Sequence, residues 1–114
     1  MIEFDDLKNG MEVWYCDVEI SYTGKKLSRS LEPEKYKVEI VPESTYVRIV
    51  SLKCKHFYNL YQCSYYDSPG HGLYATEKEC KESWNRKIRD ILDFLQSEYE
   101  ITRDHILTKL YKKL

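Results

Sequence analysis

Cysteine and histidine are the side chains of this sequence that could bind a metal ion or act as nucleophiles. Tetrahedral zinc takes four nitrogen or sulfur ligands, and the chain could supply them from Cys54, His56, Cys63 and Cys80, with His71 as a further candidate. The spacing does not favour a zinc site, because there is no C-x-x-C pair and strand alternation places Cys54 and His56 on one side by chance. We predict no metal and no cofactor, and the sequence leaves open whether these thiols are buried or exposed.

Catalytic motifs are not found either. A cysteine nucleophile needs a base and an oxyanion hole placed around it, and no local pattern does this for any of the four cysteines. Phosphate-binding glycine loops, the zinc-protease motif and the serine-hydrolase motif are also absent. We therefore expect a protein that is not an enzyme.

Chain length and net charge further restrict the class of protein to which this sequence can belong. A chain of 114 residues forms one domain, residues 1–114, and 18 basic against 19 acidic side chains give a net charge of −1. Such a balance argues against a generic phosphate-binding surface, which needs clustered Lys and Arg. The N-terminus lacks the features of a signal peptide and the apolar runs are short, so we expect a cytoplasmic protein with reduced cysteines and no membrane contact.

A long helix is predicted from about residue 77 to 99. Thr76 and Glu79 have the spacing of a capping box, in which each side chain pairs with the other residue's backbone N–H. Thr102 resembles a second cap, which predicts a short helix over about 103–113. Steps of three and four predict one apolar stripe on the long helix, formed by Cys80, Trp84, Ile88, Ile91, Leu92, Leu95 and Tyr99.

The chain before this helix has the period of two that is typical of strands. In residues 11–20, Trp14, Cys16, Val18 and Ile20 should face one way and Tyr15, Asp17 and Glu19 the other. Further strands are predicted at 36–40, 45–55, 57–66 and 73–76. We expect an α+β fold, with a small curled antiparallel sheet of about five strands over about residues 11–76, covered on one side by the Trp84 stripe.

Two segments resemble small phage and prophage accessory proteins. These proteins often open with a turn and strand similar to "LKNGMEVWYC" at 7–16, and end with a strand and helix start similar to "LYATEKEC" at 73–80. The resemblance implies an SH3-like barrel followed by helices. It also implies a non-enzymatic protein that acts in the host cell cytoplasm, in a class that includes inhibitors of host defence and host-takeover factors.

Tyrosine is unusually frequent, with eleven in the chain. In a strand over 58–66, Tyr61 and Tyr65 would share one face and Tyr58 and Tyr66 the other, so at least one pair should be exposed. Exposed tyrosines suit recognition surfaces, and His71 lies in the following loop. We predict a partner-binding surface made of Tyr58, Tyr61, Tyr65, Tyr66 and His71.

Our first interpretation is a protein-binding module whose partner is a host protein. An alternative is a single-stranded nucleic-acid-binding protein that combines the aromatic face with Lys25, Lys26, Arg29, Lys53 and Lys55. A third is a protein that sequesters or hydrolyses a small ligand. The balanced charge favours the first, and the sequence leaves the oligomeric state open.

Overall fold

In the computed structural model, the described residues are 1–20, 27–66 and 72–109, and for residues 27, 101, 102 and 104–109 only the backbone is described. A short 3-10 helix, Phe4–Asp6, comes first. The remaining elements follow in the order β1 (Glu12–Ile20), β2 (Leu27–Ile40), β3 (Tyr46–Ser51), β4 (Phe57–Tyr61), α1 (Gln62–Tyr65) and α2 (Glu77–Lys109).

The strands form one antiparallel sheet in the order β1-β2-β3-β4. The sheet is curled into a half-barrel, since Tyr15 on one edge strand and Tyr58 on the other have ring centroids only 6.2 Å apart. The predicted α+β class, with a curled antiparallel sheet and a long C-terminal helix, is confirmed.

Strand β2 is longer than predicted, and its pairing with β1 is irregular. Its register against β1 shifts between Tyr15 and Asp17, where Pro33 lies opposite. Proline cannot donate a ladder hydrogen bond, and a bulge bends the strand that contains it. Residues 27–35 were not predicted as strand because the bulge interrupts their alternation.

The predicted fifth strand, at 73–76, is not confirmed. Tyr74 makes a single antiparallel bridge to Trp14, with N–H to C=O distances of 2.9 and 2.8 Å in the two directions. The segment is too short to extend the ladder because Thr76 already caps α2. It closes part of the β1 edge without adding a full strand.

Alternation along β1 separates two hydrophobic clusters. The concave cluster inside the half-barrel contains the buried side chains of Leu7, Val13, Tyr15, Tyr36, Val38, Val47, Ile49, Leu60, Tyr65 and Leu73. On the other face, Cys16, Tyr74 and Cys80 are buried with Trp14 and Trp84 packed against them. The prediction that Trp14 and Cys16 lie on the opposite face of β1 from Tyr15 is therefore confirmed.

Helix α2 begins where the sequence predicts. The Glu79 N–H donates to the Thr76 hydroxyl at 3.2 Å, and the Glu79 carboxylate accepts from that hydroxyl, also at 3.2 Å, instead of from the Thr76 N–H. The helix packs on the outer face of β1 and β2. Acidic residues in its first turn, Glu77 and Glu79, suit the positive end of the helix dipole.

The contact face of α2 differs in part from the predicted stripe. Its most buried residues are Cys80, Ser83 and Lys87, while Trp84 is half-buried. Ile88, Ile91 and Leu95 are also half-buried, whereas Leu92 is 60% exposed and Tyr99 is 65% exposed. The first part of the helix covers the sheet as predicted, and the later turns extend beyond it.

The predicted break at Thr102 and the separate short helix over 103–113 are not confirmed. The backbone of α2 continues through Thr102 to Lys109. Threonine is compatible with a helix interior, so a possible cap residue does not by itself end a helix. Residues 110–113 of the predicted short helix lie outside the described part.

Candidate protein-binding surface

The four predicted tyrosines do not share one surface. Tyr58 is half-buried inside the half-barrel, Tyr61 is exposed on the outer face, Tyr65 is fully buried and Tyr66 is exposed. The strand expected over 58–66 is not found, because β4 ends at Tyr61 and α1 begins at the next residue, which changes the period from two to 3.6. His71 lies outside the described residues.

Tyr65 and Tyr66 hold the N-terminal segment in place. The Tyr65 hydroxyl donates to the Ile2 carbonyl and accepts from the Leu73 N–H at 3.1 Å. Burial raises the pKa of Tyr65 to about 12. The Tyr66 hydroxyl donates to the Glu3 carboxylate at 2.8 Å and accepts a backbone N–H at 2.9 Å. Both hydroxyls therefore have hydrogen-bond partners within the chain.

A different aromatic surface lies on the outer side of β3 and β4. We call it the outer β3–β4 face, and it consists of Tyr46, Arg48, Val50, Phe57, Asn59 and Tyr61. The register places these side chains opposite one another in pairs, Tyr46 with Tyr61, Arg48 with Asn59 and Val50 with Phe57. Their inward neighbours, Val47, Ile49 and Leu60, fill the concave core, so the outer face is the solvent side of a two-sided sheet.

Stacking organises this face. The rings of Tyr46 and Tyr61 have centroids 5.3 Å apart, and the Arg48 guanidinium lies 4.9 Å from the Phe57 ring centroid. Phe57 is 56% exposed and Tyr61 is 46% exposed. Arg48 Nε is buried and has no hydrogen-bond partner within the described ranges. Within the part of the chain that the structure describes, α2 packs on β1 and β2, and Phe57 and Tyr61 of the outer β3–β4 face remain exposed.

Five members of this face were missed by the sequence analysis, namely Tyr46, Arg48, Val50, Phe57 and Asn59. The alternation in residues 45–50 contained the signal, because Tyr46, Arg48 and Val50 must share one side of a strand. That side could not be identified as the outer one without knowing which strands the helix covers.

The turn that leads into β4 is fixed by Ser51. Its hydroxyl donates to the Glu34 carboxylate at 2.9 Å and accepts the backbone N–H groups of Lys53 and Cys54, both at 3.2 Å. Lys55 has a φ of 63°, in the left-handed region, and completes the reversal. Strand β4 is thereby held in register against β3.

A cleft of about 380 Å³ lies on the concave side, between β4 and the ends of β1 and β2. Arg29 lies inside it, 4.7 Å from the Tyr58 ring centroid, with Nε 3.4 Å from a buried oxygen of Asp17. Burial first, and then the Asp17 charge, raises the pKa of Tyr15 above its ordinary value. This arrangement keeps the guanidinium engaged with a ring and a carboxylate.

The basic residues of the nucleic-acid alternative are not brought together. Lys53 and Lys55 are exposed in the β3–β4 turn, whereas Arg29 lies in the concave cleft. Lys25 and Lys26 lie outside the described residues. The three described side chains therefore do not line one groove.

The cysteines and histidine weighed as metal ligands are also dispersed. Cys54 is exposed in the β3–β4 turn, Cys63 is exposed on α1 and Cys80 is buried on the sheet-facing side of α2. His56 is exposed next to β4. Over residues 1–20, 27–66 and 72–109, no group of three or more His, Cys, Asp or Glu side chains is arranged to hold a metal ion.

Cys80 instead packs against Cys16 and Lys87. The buried Lys87 ammonium donates to the Cys16 carbonyl at 2.8 Å and lies 4.0 Å from its sulfur. The Cys16 thiol donates to the Cys80 carbonyl at 3.5 Å. The pKa of Cys16 is lowered, first by its interaction with the Cys80 side chain and then by the Lys87 charge, while the pKa of Cys80 is raised by the same interaction and by burial. The cluster joins α2 to the β1 edge.

Two further findings concern the chain as a whole. Among the described helices, none combines the length and the apolar character that crossing a bilayer requires. Comparison of this chain with protein-family models, with curated proteins and with solved structures finds no match.

Proposed function

We propose that this protein is a non-enzymatic protein-binding module that binds its partner through the outer β3–β4 face. The observation that carries the proposal is the uncovered pair of exposed rings, Phe57 and Tyr61, on a rigid antiparallel ladder. A soluble domain rarely exposes a contiguous aromatic patch that has no binding role.

The composition of the face fits a protein partner. Aromatic residues and arginine are the side chains most enriched in binding hot spots. Arg48 is already positioned by its stacking on Phe57, so little conformational entropy is lost when it donates to a partner. Its unpaired Nε also gains a hydrogen bond if a partner carbonyl or carboxylate reaches it.

Charge supports protein over nucleic acid as the partner. The chain has a net charge of −1, and Arg48 is the one basic residue of the outer β3–β4 face. Stacking of single-stranded bases on aromatic rings normally occurs beside a basic groove. The cleft around Arg29 is the place to test the small-ligand alternative, by a ligand-dependent shift of the melting temperature.

The resemblance of residues 7–16 and 73–80 to phage accessory proteins extends the proposal. On that basis the half-barrel is of the SH3-like type, the chain is phage-encoded, and the partner is a host protein of a defence or other host system. This protein would then act as an inhibitor in the host cytoplasm.

The test compares two double variants in capture from a bacterial lysate, followed by calorimetry with the captured protein. Phe57→Ser with Tyr61→Ser should weaken binding by about 2 kcal/mol or more, because hot-spot aromatics are removed. The matched control is Leu92→Ser with Tyr99→Ser, which removes exposed apolar side chains from α2. The free energy of unfolding of both variants should lie within about 1 kcal/mol of the wild-type value.

Equal capture by both variants would contradict the proposed surface. Reversal of Lys53 and Lys55 to Glu tests the alternative. If that reversal abolished binding, and wild-type binding to single-stranded DNA fell steeply with salt, the protein would be a nucleic-acid binder.

A further inference from the structure

Among the described strands, β4 lies at one end of the sheet, so one of its edges has no partner strand there, and the ladder determines which residues form that edge. The Ser51 N–H bonds the His56 carbonyl and the Gln62 N–H bonds the Thr45 carbonyl, both at 2.8 Å. The backbone N–H and C=O groups that point towards β3 are therefore those of residues 56, 58, 60 and 62. By alternation, the backbone groups of Phe57, Asn59 and Tyr61 point away from the sheet. Within the described ranges, the hydrogen bond recorded for these outward groups is Ser64 Oγ to the Tyr61 carbonyl, at 3.3 Å.

The opposite edge of the sheet is treated differently. On β1, Tyr74 pairs with the backbone of Trp14 and the Lys87 ammonium bonds the Cys16 carbonyl. Soluble proteins protect edge strands with a cover of this kind, or with charges, proline or bulges, because a free edge pairs with other chains.

Strand β4 carries none of these protective features. Its sequence, FYNLY, has no charge and no proline, and its register against β3 runs through all its residues without a bulge. Phe57, Asn59 and Tyr61 are exposed, and the cleft of about 380 Å³ beside β4 has Glu19 and Arg29 among its other lining residues. An uncharged, regular and accessible edge is a template for another strand.

We propose that the strand that pairs with it is β4 of a second copy of this chain, so that two half-barrels join through an antiparallel β4–β4 pair with Asn59 on the two-fold axis. FYNLY is self-complementary in this register. Phe57 lies opposite Tyr61 of the partner subunit, twice by symmetry, and Asn59 lies opposite Asn59 of the partner subunit.

This register is selected by the hydrogen bonds. Antiparallel residues that face each other with outward groups exchange both N–H to C=O bonds. When the pair is centred on Asn59, each of the three outward residues, Phe57, Asn59 and Tyr61, lies opposite an outward residue of the second strand. After a shift by two residues, only two of them do. A shift by one residue would set outward groups against groups that already bond β3.

The side chains agree with the same register. Aromatic pairs form on the outer face between Phe57 and Tyr61, carboxamides meet at the axis, and no like charges face each other across β4. The two outer β3–β4 faces then lie side by side and form one surface. This inference rests on the free edge and holds whether or not that surface binds a host protein.

The experiment measures the mass of the full chain by sedimentation equilibrium from micromolar to millimolar concentration. A chain of 13.7 kDa should show reversible association to twice that mass. Asn59→Lys brings two like charges together at the axis and should weaken dimerisation at least tenfold. Asn85→Lys makes the same change at an exposed position of α2 and should leave dimerisation unchanged.

A second variant protects the test against misfolding. Asn59→Pro removes an outward N–H that β3 does not use, so it blocks edge pairing while preserving the ladder within the sheet. Circular dichroism should show wild-type secondary structure for both Asn59 variants. If either unfolded, the other would carry the test, together with the Asn59→Cys cross-link described below.

The register itself is tested by cross-linking in a background with Cys54→Ser and Cys63→Ser, which removes the exposed thiols. Oxidised glutathione should convert two Asn59→Cys chains to a disulfide-linked dimer, with two molecules of reduced glutathione released. The Cα separation in a hydrogen-bonded antiparallel pair, about 5.5 Å, suits a disulfide. Asn85→Cys should not cross-link.

A wild-type chain that stays monomeric at all concentrations would overturn the proposal. So would a dimer that Asn59→Lys and Asn59→Pro leave intact, because the association would then use another surface such as α2. Loss of lysate capture in the Phe57 and Tyr61 double variant, with no wild-type dimer, would refute self-pairing while leaving the proposed function in place.

Discussion

Removing the hydroxyl of Tyr65 should destabilise the protein by about 2 to 3 kcal/mol. The Tyr65→Phe change keeps the ring and its volume, so no large cavity forms. It deletes the hydroxyl that donates to the Ile2 carbonyl and accepts from the Leu73 N–H. A buried hydrogen bond contributes about 1 kcal/mol, and a buried group left without a partner costs about 1 to 3 kcal/mol.

The matched control is the neighbouring change Tyr66→Phe. The Tyr66 hydroxyl also makes two hydrogen bonds, but it lies at the surface, where water replaces the lost partner. We expect a cost below about 1 kcal/mol. The measurement is the free energy of unfolding in urea, followed by far-ultraviolet circular dichroism.

The pH dependence gives the same prediction an independent readout. The folded protein raises the pKa of Tyr65 from 10.0 to about 12, mainly by burial. The folded state therefore holds the proton of the Tyr65 hydroxyl more tightly than the unfolded state does. The stability that this hydroxyl contributes is complete below about pH 10 and is lost as the pH rises to about 12. A difference of about two pKa units corresponds to at most about 3 kcal/mol.

The stability difference between wild type and Tyr65→Phe should thus shrink between pH 9 and pH 12. Burial also raises the pKa of Tyr15 and Tyr36, so both proteins lose stability in alkali and the difference between them is the quantity to measure. A difference that did not change with pH, or a Tyr66→Phe cost equal to that of Tyr65→Phe, would refute the assigned hydrogen bonds.

The other predictions concern the attachment of α2. Trp84→Ala should cost about 2 kcal/mol in a urea titration, less than a fully buried tryptophan because the ring is half-buried; Leu92→Ala, at an exposed position, should cost less than about 0.5 kcal/mol. Lys87→Met should cost about 1.5 to 3 kcal/mol, because the Cys16 carbonyl loses a charged donor, and an unchanged melting temperature would contradict that bond. Thr76→Ala should lower stability by about 1 kcal/mol through the lost cap, and Thr76→Ser, which keeps the hydroxyl, should restore most of it.

Local patterns predicted the parts of the fold that local physics determines. The start of α2 follows from Thr76 and Glu79, three residues apart, and the two faces of β1 follow from strict alternation at Trp14, Tyr15 and Cys16. These features depend on the hydrogen-bonding needs of a helix end and on strand geometry, which neighbouring residues are enough to satisfy.

The remaining features depend on distant contacts. The end of β4 at Tyr61 is coupled to the burial of Tyr65, whose hydroxyl bonds Ile2, more than sixty positions away in sequence. The sequence therefore predicted Tyr65 as part of a partner-binding surface, whereas the structure buries its side chain. The burial of Lys87 likewise depends on the Cys16 carbonyl of the β1 edge.

The positions of the aromatic residues decide what spectroscopy can observe. Both tryptophans of the chain, Trp14 and Trp84, lie in the cluster between β1 and α2, whereas the concave core contains tyrosines such as Tyr15 and Tyr36 but no tryptophan. Intrinsic tryptophan fluorescence will therefore report the undocking of the helix, and tyrosine near-ultraviolet dichroism will report the half-barrel. Coincident transitions from the two signals would mean that helix and sheet unfold as one cooperative unit, and separated transitions would mean that the helix detaches first.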